Sequence, residues 1–107
     1  MKVELCKHIA NKLLGSNQKI VAVGNARLLY ERHLGMFFGI MDMRFCIEQV
    51  AKKPDEVIVI KDSKGRKVKA IKRLDEKYIA DIIVRKKQNG KIHIFHANKI
   101  RKKKEQQ

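Results

Sequence analysis

The sequence predicts an α+β domain in which helices pack on one face of a four- to five-stranded antiparallel sheet. Apolar residues recur at helical spacing before Pro54 and at strand spacing after it. Asn89-Gly90, a strong hairpin signal, separates two runs rich in β-branched residues. Because the chain has 107 residues, we expect a single domain over residues 1–107, of which 100–107 form a basic tail.

The N-terminal half predicts mainly helices. An apolar stripe from Val3 to Leu14 predicts a helix of about twelve residues. The β-branched run 19–23 predicts a strand or extended link, and residues 26–34 a second helix. Asp42 is placed to cap a third helix, which ends before Pro54.

The C-terminal half predicts a meander of four strands over residues 57–60, 67–72, 78–87 and 91–99. With Asn89 and Gly90 as the two central turn residues, Ile83 lies opposite His96 and Lys86 lies opposite His93. His93 and His96 then point to opposite faces of the sheet, because side chains alternate along a strand.

The charge of the chain indicates an anionic partner. Lys and Arg number 26 against 11 Asp and Glu, a net charge of +15 in a chain that is 44% hydrophobic and therefore able to build a core. A compact body this basic predicts an anionic partner, which is nucleic acid, an acidic protein or an anionic membrane. The expected phosphate contacts are Lys67, Lys72, Arg85, Arg101, Lys102, Lys103 and Lys104.

Several classes of site are disfavoured by the spacing of the residues. Four His and two Cys form no HxxxH, HExxH or CxxC set, so we expect no metal and no other cofactor. Cys6 and Cys46 lie in apolar patterns and are expected to be reduced, although a disulfide between them stays open. The absence of a signal peptide and of a long apolar stretch predicts a cytoplasmic protein that does not span a membrane.

Two histidines suggest chemistry on RNA rather than binding alone. His33 ends a predicted helix, and His96 lies where the last strand meets the basic tail. RNA cleavage without metal needs a base for the 2′-hydroxyl, an acid for the leaving 5′-oxygen and cations for the phosphate. His33 and His96 are the candidate proton carriers, and the candidate charge stabilisers are Lys69, Arg73 and Lys99.

From His33 onward the chain resembles the small nucleases of the barnase, EndoU, colicin and RelE superfamily (BECR), in particular BrnT-type toxins and phage-borne BECR domains. The resemblance rests on Arg32-His33-Leu34-Gly35, on a helix ending near Pro54, on the meander, and on an Ile-x-Ile strand that runs into basic residues. It implies a RelE-like fold and a toxin that cleaves RNA through a 2′,3′-cyclic phosphate, with an acidic antitoxin or immunity protein as partner. One departure is His96-Ala97-Asn98, where BrnT-type chains usually have Ser-Ala-Arg.

Two other functions fit the same charge. The chain could be a non-enzymatic RNA-binding protein, such as a ribosome-associated or phage factor, or a basic adaptor that docks on an acidic protein. A separation of more than about 10 Å between His33 and His96 would favour binding alone, because the two rings could not share one phosphate.

Overall fold

The computed structural model describes residues 1–102, which form three helices and a six-stranded mixed sheet. This confirms the α+β class, although not a purely antiparallel sheet of four to five strands. The helices are α1 (Lys7–Leu14), α2 (Ala26–Arg32) and α3 (Ile40–Lys52). The strands are β1 (Lys2–Leu5), β2 (Ile20–Val23), β3 (Glu56–Asp62), β4 (Gly65–Arg73), β5 (Tyr78–Lys86) and β6 (Ile92–Arg101).

The strand order is β1-β2-β6-β5-β4-β3. Strands β3 to β6 form the antiparallel meander that the turn signals predict. The two N-terminal strands extend the sheet beyond β6, because β2 pairs with β6 in parallel through Ala22 opposite Ile92 and Val23 opposite His93. This parallel pair joins segments about seventy residues apart and makes the sheet mixed.

The predicted helix from Val3 to Leu14 is wrong in its first third. Residues 2–5 form β1 and pair with β2, and α1 begins only after Cys6, whose backbone is extended. Val3 and Leu5 are both buried, so they fit the two-residue period of a strand as well as the helical stripe. Pairing with β2 satisfies the backbone hydrogen bonds of residues 2–5, so this segment is a strand and not the start of a helix.

Helices α1 and α3 cover one face of the sheet, with α1 over β3 and β4 and α3 over β4, β5, β6 and β1. The side chains beneath them alternate along the strands and are buried, as in Val68 and Ala70 of β4 and Ile82 and Val84 of β5. The residues between them point to the other side, which we call the open face. Lys67, Lys69 and Arg85 lie on it, so the open face is positively charged along β4 and β5.

A β-bulge interrupts the pairing of β5 with β6. His96 lies opposite Ile83, as predicted. His93 lies opposite Arg85 instead of the predicted Lys86, and Ile94 lies opposite Val84, so Phe95 is one extra residue. The predicted two-residue turn is also wrong, because the Lys87 amide donates to the Lys91 carbonyl oxygen at 2.8 Å and the loop between them has three residues, 88–90. The extra residue reverses the alternation. His93 and His96 therefore both lie on the open face, and the prediction that they point to opposite faces is wrong.

Strand β6 continues through Ile100 and Arg101, the first two residues of the predicted basic tail. The Lys102 amide then donates to the Lys77 carbonyl oxygen at 2.7 Å. Lys103 and Lys104 lie outside the described residues. Within 1–102, no helix is long and apolar enough to cross a membrane.

Candidate functional site

The structure places His33 and His96 against each other. Their ring centroids are 4.8 Å apart with the planes at 84°, an edge-to-face contact. His33 follows the last residue of α2, which approaches β6 where β2 no longer pairs with it. Arg32, just before it, anchors this end of α2 by donating to the Phe95 carbonyl oxygen at 3.3 Å. Two histidines sixty-three positions apart thus meet at the open face.

Asn98 and Asp81 extend the histidine pair across two strands. The Asn98 amide nitrogen lies within hydrogen-bonding distance of Nε2 of His96 and 3.4 Å from Oδ1 of Asp81. Asp81 is only 6% exposed, although it stands on the open face opposite Asn98 in the ladder. A buried carboxylate connected through an amide to an imidazole holds the ring in one orientation. We call His33, His96, Asn98 and Asp81 the histidine cluster.

The surroundings of His96 favour its neutral form. Burial lowers the pKa of His96 below its ordinary value of 6.5, and the positive charges of His33, Lys69 and Arg32 lower it further, while Asp81 acts in the opposite direction. At neutral pH the His96 ring is therefore suited to accept a proton. A neutral imidazole beside a second imidazole is the arrangement that paired base and acid catalysis requires.

Of the three predicted charge stabilisers, only Lys69 accompanies the histidine cluster. Lys69 lies opposite Ile83, which lies opposite His96, so its long side chain projects from the same row of the open face. Arg73 is exposed on the same strand, four residues away and thus about 13 Å further along it. Arg73 is therefore not part of the cluster.

Lys99 lies on the other side of the sheet. Its ammonium is 3.1 Å from Oδ2 of Asp42 in α3 and lies over the rings of Phe38 and Tyr78, at 4.5 and 4.8 Å from their centroids. The side chain is only 7% exposed. Three positions separate Lys99 from His96 beyond the bulge, so alternation directs it beneath the helices. The charge-stabilising role predicted for Lys99 does not fit this position, which indicates a structural ion pair.

Asp42 links this ion pair to the start of α3. Burial acts to raise the pKa of Asp42, but the Phe38 amide, which donates to it at 3.0 Å, and Lys99 together lower the pKa below its ordinary value. The prediction that Asp42 caps α3 is wrong, because Gly39 occupies the N-cap position and Asp42 lies in the first turn, where it accepts from the amide of Phe38 just before the helix. Burial raises the pKa of the Cys46 thiol to about 11, with Asp42 contributing in the same direction.

The predicted nucleic-acid contacts separate into three groups. Lys67 and Arg85 lie on the open face one row from His96, and both contact the Asp62 carboxylate, at 3.4 and 2.6 Å. Lys72 lies on the helix side and donates to the Lys53 carbonyl oxygen at 3.0 Å, so it stabilises the end of α3. Arg101 and Lys102 lie at the far end of β6, beside the Tyr78 end of β5.

Sequence reasoning assigned no role in the site to Asp81 or to Asn98. A single acid within the apolar run Ile79-Ala80-Asp81-Ile82-Ile83 was an available signal, because strands bury a carboxylate only where it has polar partners. Asn98 is singled out in the sequence only as the residue at which BrnT-type chains usually have an arginine.

Within residues 1–102, no three His, Cys, Asp or Glu side chains converge on a point that could hold a metal ion. The chain also has no match among protein-family models, curated proteins or solved structures. The geometry of the histidine cluster and the charge around it are the features that bear on function.

Proposed function

We propose that this protein is an endoribonuclease that cleaves RNA without a metal, by attack of the 2′-hydroxyl on the adjacent phosphate. The observation that carries the proposal is the contact between His33 and His96, at 4.8 Å, on the open face beside Lys69. This separation lets one phosphate and its two reacting oxygens contact both imidazoles.

In this mechanism Nε2 of His96 exchanges its contact with the Asn98 amide for the 2′-hydroxyl and takes the proton of that hydroxyl. The 2′-oxygen forms its bond to phosphorus while the bond from phosphorus to the 5′-oxygen breaks. Protonated His33 gives its proton to the leaving 5′-oxygen. The products are a 2′,3′-cyclic phosphate and a 5′-hydroxyl, and the reaction leaves His96 protonated and His33 neutral.

Charge around the cluster supports the same reaction. Lys69 and Arg32 are close enough to His96 to affect its pKa, so they are close enough to stabilise charge that builds on a phosphate beside it. Before RNA binds, the Asn98 amide and the buried Asp81 carboxylate hold the His96 ring in position. The net charge of +15 attracts RNA to the whole surface.

The test is cleavage of a fluorescent oligoribonucleotide in EDTA by the wild type and by His33→Ala, His96→Ala and His8→Ala variants. His8 is the matched control, since it is exposed on α1 over the covered face of the sheet. We expect His33→Ala and His96→Ala each to lower the rate by about 10²- to 10⁴-fold and His8→Ala to leave it unchanged.

The proposed attack by the 2′-hydroxyl can also be tested through the substrate and the product. A single 2′-deoxynucleotide at the cleaved position should abolish cleavage there, and the product should carry a cyclic phosphate by mass spectrometry. Absence of cleavage by the wild type, or equal cleavage by a His33→Ala, His96→Ala double variant, would refute the proposal.

RNA binding without cleavage is the second candidate, favoured by the cations that surround the open face. It predicts an affinity that falls log-linearly with salt concentration, with no product on a gel. It also predicts that His33→Ala and Lys69→Gln weaken binding to similar small extents, because neither would have a chemical role.

A further inference from the structure

A pocket of about 400 Å³ opens on the open face one row from the histidine cluster. Its wall includes Asp62, Lys67, Arg85, His93 and Phe95. Pockets that hold small organic ligands begin at about this size and combine an apolar surface with a few placed polar groups. Phe95 supplies the apolar surface here, and the ion pairs of Asp62 supply the polar groups.

Phe95 is the extra residue of the β-bulge, and its ring is half-buried among charged side chains instead of lying in the core. The Arg85 guanidinium carbon is 5.5 Å and the Lys67 ammonium 5.8 Å from the ring centroid. An aromatic ring with cations over it on a positively charged surface has the chemistry of a stacking platform, because a base can stack on the ring while the cations contact its phosphate.

The polar side of the pocket is organised before any ligand arrives. Asp62 accepts from Arg85 at 2.6 Å and lies 3.4 Å from the Lys67 ammonium. These contacts fix two long side chains, which lowers the entropy that a ligand must overcome on binding. One carboxylate between two cations leaves a net positive charge, and Lys64 and Lys87 on the rim add to it.

The ladder sets the distance from this pocket to the histidine cluster. Lys67, Arg85 and His93 form one row across β4, β5 and β6, and Lys69, Ile83 and His96 form the next. Two residues along a strand separate these rows on β4 and β5, a distance of about 7 Å. This is the scale of one nucleotide, so a base in the pocket and a phosphate at the histidines can belong to neighbouring positions of one RNA strand.

We propose that this pocket binds the nucleotide next to the cleaved bond, with the base stacked on Phe95 and the phosphate held by Lys67 and Lys87. Its identification as part of an RNA site rests on the proposed function, whereas nucleotide binding itself is measured separately. The bulge thereby has two effects, since the same extra residue brings His93 and His96 to one face and presents Phe95 beside them.

The test titrates the His33→Ala, His96→Ala double variant with adenosine, guanosine, cytidine and uridine 5′-monophosphates, followed by NMR of the aromatic side chains and by calorimetry. We expect shifts at Phe95 and His93. The Phe95→Leu substitution should weaken binding about five- to a hundredfold, whereas Phe95→Tyr should retain it. Phe38→Leu is the matched control, because Phe38 is 81% exposed and contacts Tyr78 away from the pocket.

The outcomes distinguish the proposal of a nucleotide-binding pocket from the proposal of ribonuclease activity. Nucleotide binding that depends on Phe95, together with no cleavage of RNA by the wild type, would support the pocket and refute the nuclease. Cleavage together with equal nucleotide affinities of the folded Phe95→Leu and Phe38→Leu variants would refute the pocket. Inorganic phosphate that causes the same shifts at the same affinity would also refute it, because a phosphate site needs no stacked base. Thermal melts check that each variant is folded.

Discussion

Replacing Asp42 by Asn should destabilise the protein more than replacing Lys99 by Met. The Lys99 side chain is 7% exposed and that of Asp42 23% exposed, so the lysine depends more on its partner. The amide that Asp42→Asn introduces can still accept from the Phe38 backbone N–H, but it leaves the ammonium between two rings without a counter-ion. Methionine at position 99 instead leaves Asp42 in contact with the Phe38 amide and with water, and it fills the space between Phe38 and Tyr78.

The size of the expected destabilisation follows from how far water reaches the Asp42 and Lys99 side chains. Removal of one member of a fully buried ion pair costs roughly 3–5 kcal/mol, and partial access of water to Asp42 lowers this to about 2 kcal/mol for Asp42→Asn. For a domain of this size that corresponds to a fall of roughly 8–16 °C in Tm. We expect Lys99→Met to cost less than about 1 kcal/mol, and the double variant to recover most of the loss.

The assay is urea unfolding followed by circular dichroism at several pH values. The pKa of Asp42 is lower in the folded state than its ordinary value of 3.8. The stabilisation by the Asp42 carboxylate is therefore complete above pH 3.8, and it is lost as the pH falls through the lower pKa of the folded state. The free energy of unfolding of the wild type should therefore exceed that of Asp42→Asn by the full amount at pH 7, and this difference should shrink below about pH 4. Equal costs for Asp42→Asn and Lys99→Met would refute the reasoning. A structural Lys99 also predicts that Lys99→Met leaves RNA cleavage intact.

Two further predictions concern titratable groups. Because the pKa of His96 is lowered by burial and by nearby cations, the unfolded chain takes up its proton first as the pH falls below 6.5. The free energy of unfolding should fall over that range, and His96→Gln should reduce the slope in pH-dependent urea titrations; an unchanged slope would contradict the cause given. Cys46 is 2% exposed with a pKa of about 11, so at pH 8 only about one thiol in a thousand is ionised. Mass spectrometry after iodoacetamide should show Cys46 unmodified in the folded protein and modified in urea, whereas rapid native labelling of Cys46 would contradict its burial.

The meander was predictable because its signals are local. Asn89-Gly90 marks where the last hairpin turns, although its loop has three residues instead of two, and the switch from helical to strand spacing at Pro54 marks where the meander begins. The strand β1 was missed because Val3 and Leu5 suit either period, and only its pairing with β2 decides. The parallel contact of β2 with β6 depends on how the whole chain packs, which no local pattern encodes.

The histidine cluster was predictable in part. His33 and His96 were singled out for their chemical type, and the structure brings them together. Lys99 could have been separated from His96 by counting, since positions three apart on a regular strand face opposite ways. The same count fails for His93, because a bulge is not visible in side-chain periodicity.

The extra residue in β6 makes the register of the last hairpin, more than the identity of its residues, decide the character of this surface. In a regular ladder without the bulge, the same sequence would place His93 opposite Lys86, and His93, Ile92 and Ile94 would all change faces. Imidazole would then point into the interior and isoleucine into water. Burial of Ile92 and Ile94 therefore stabilises the bulge, and with it the placement of both imidazoles on one face.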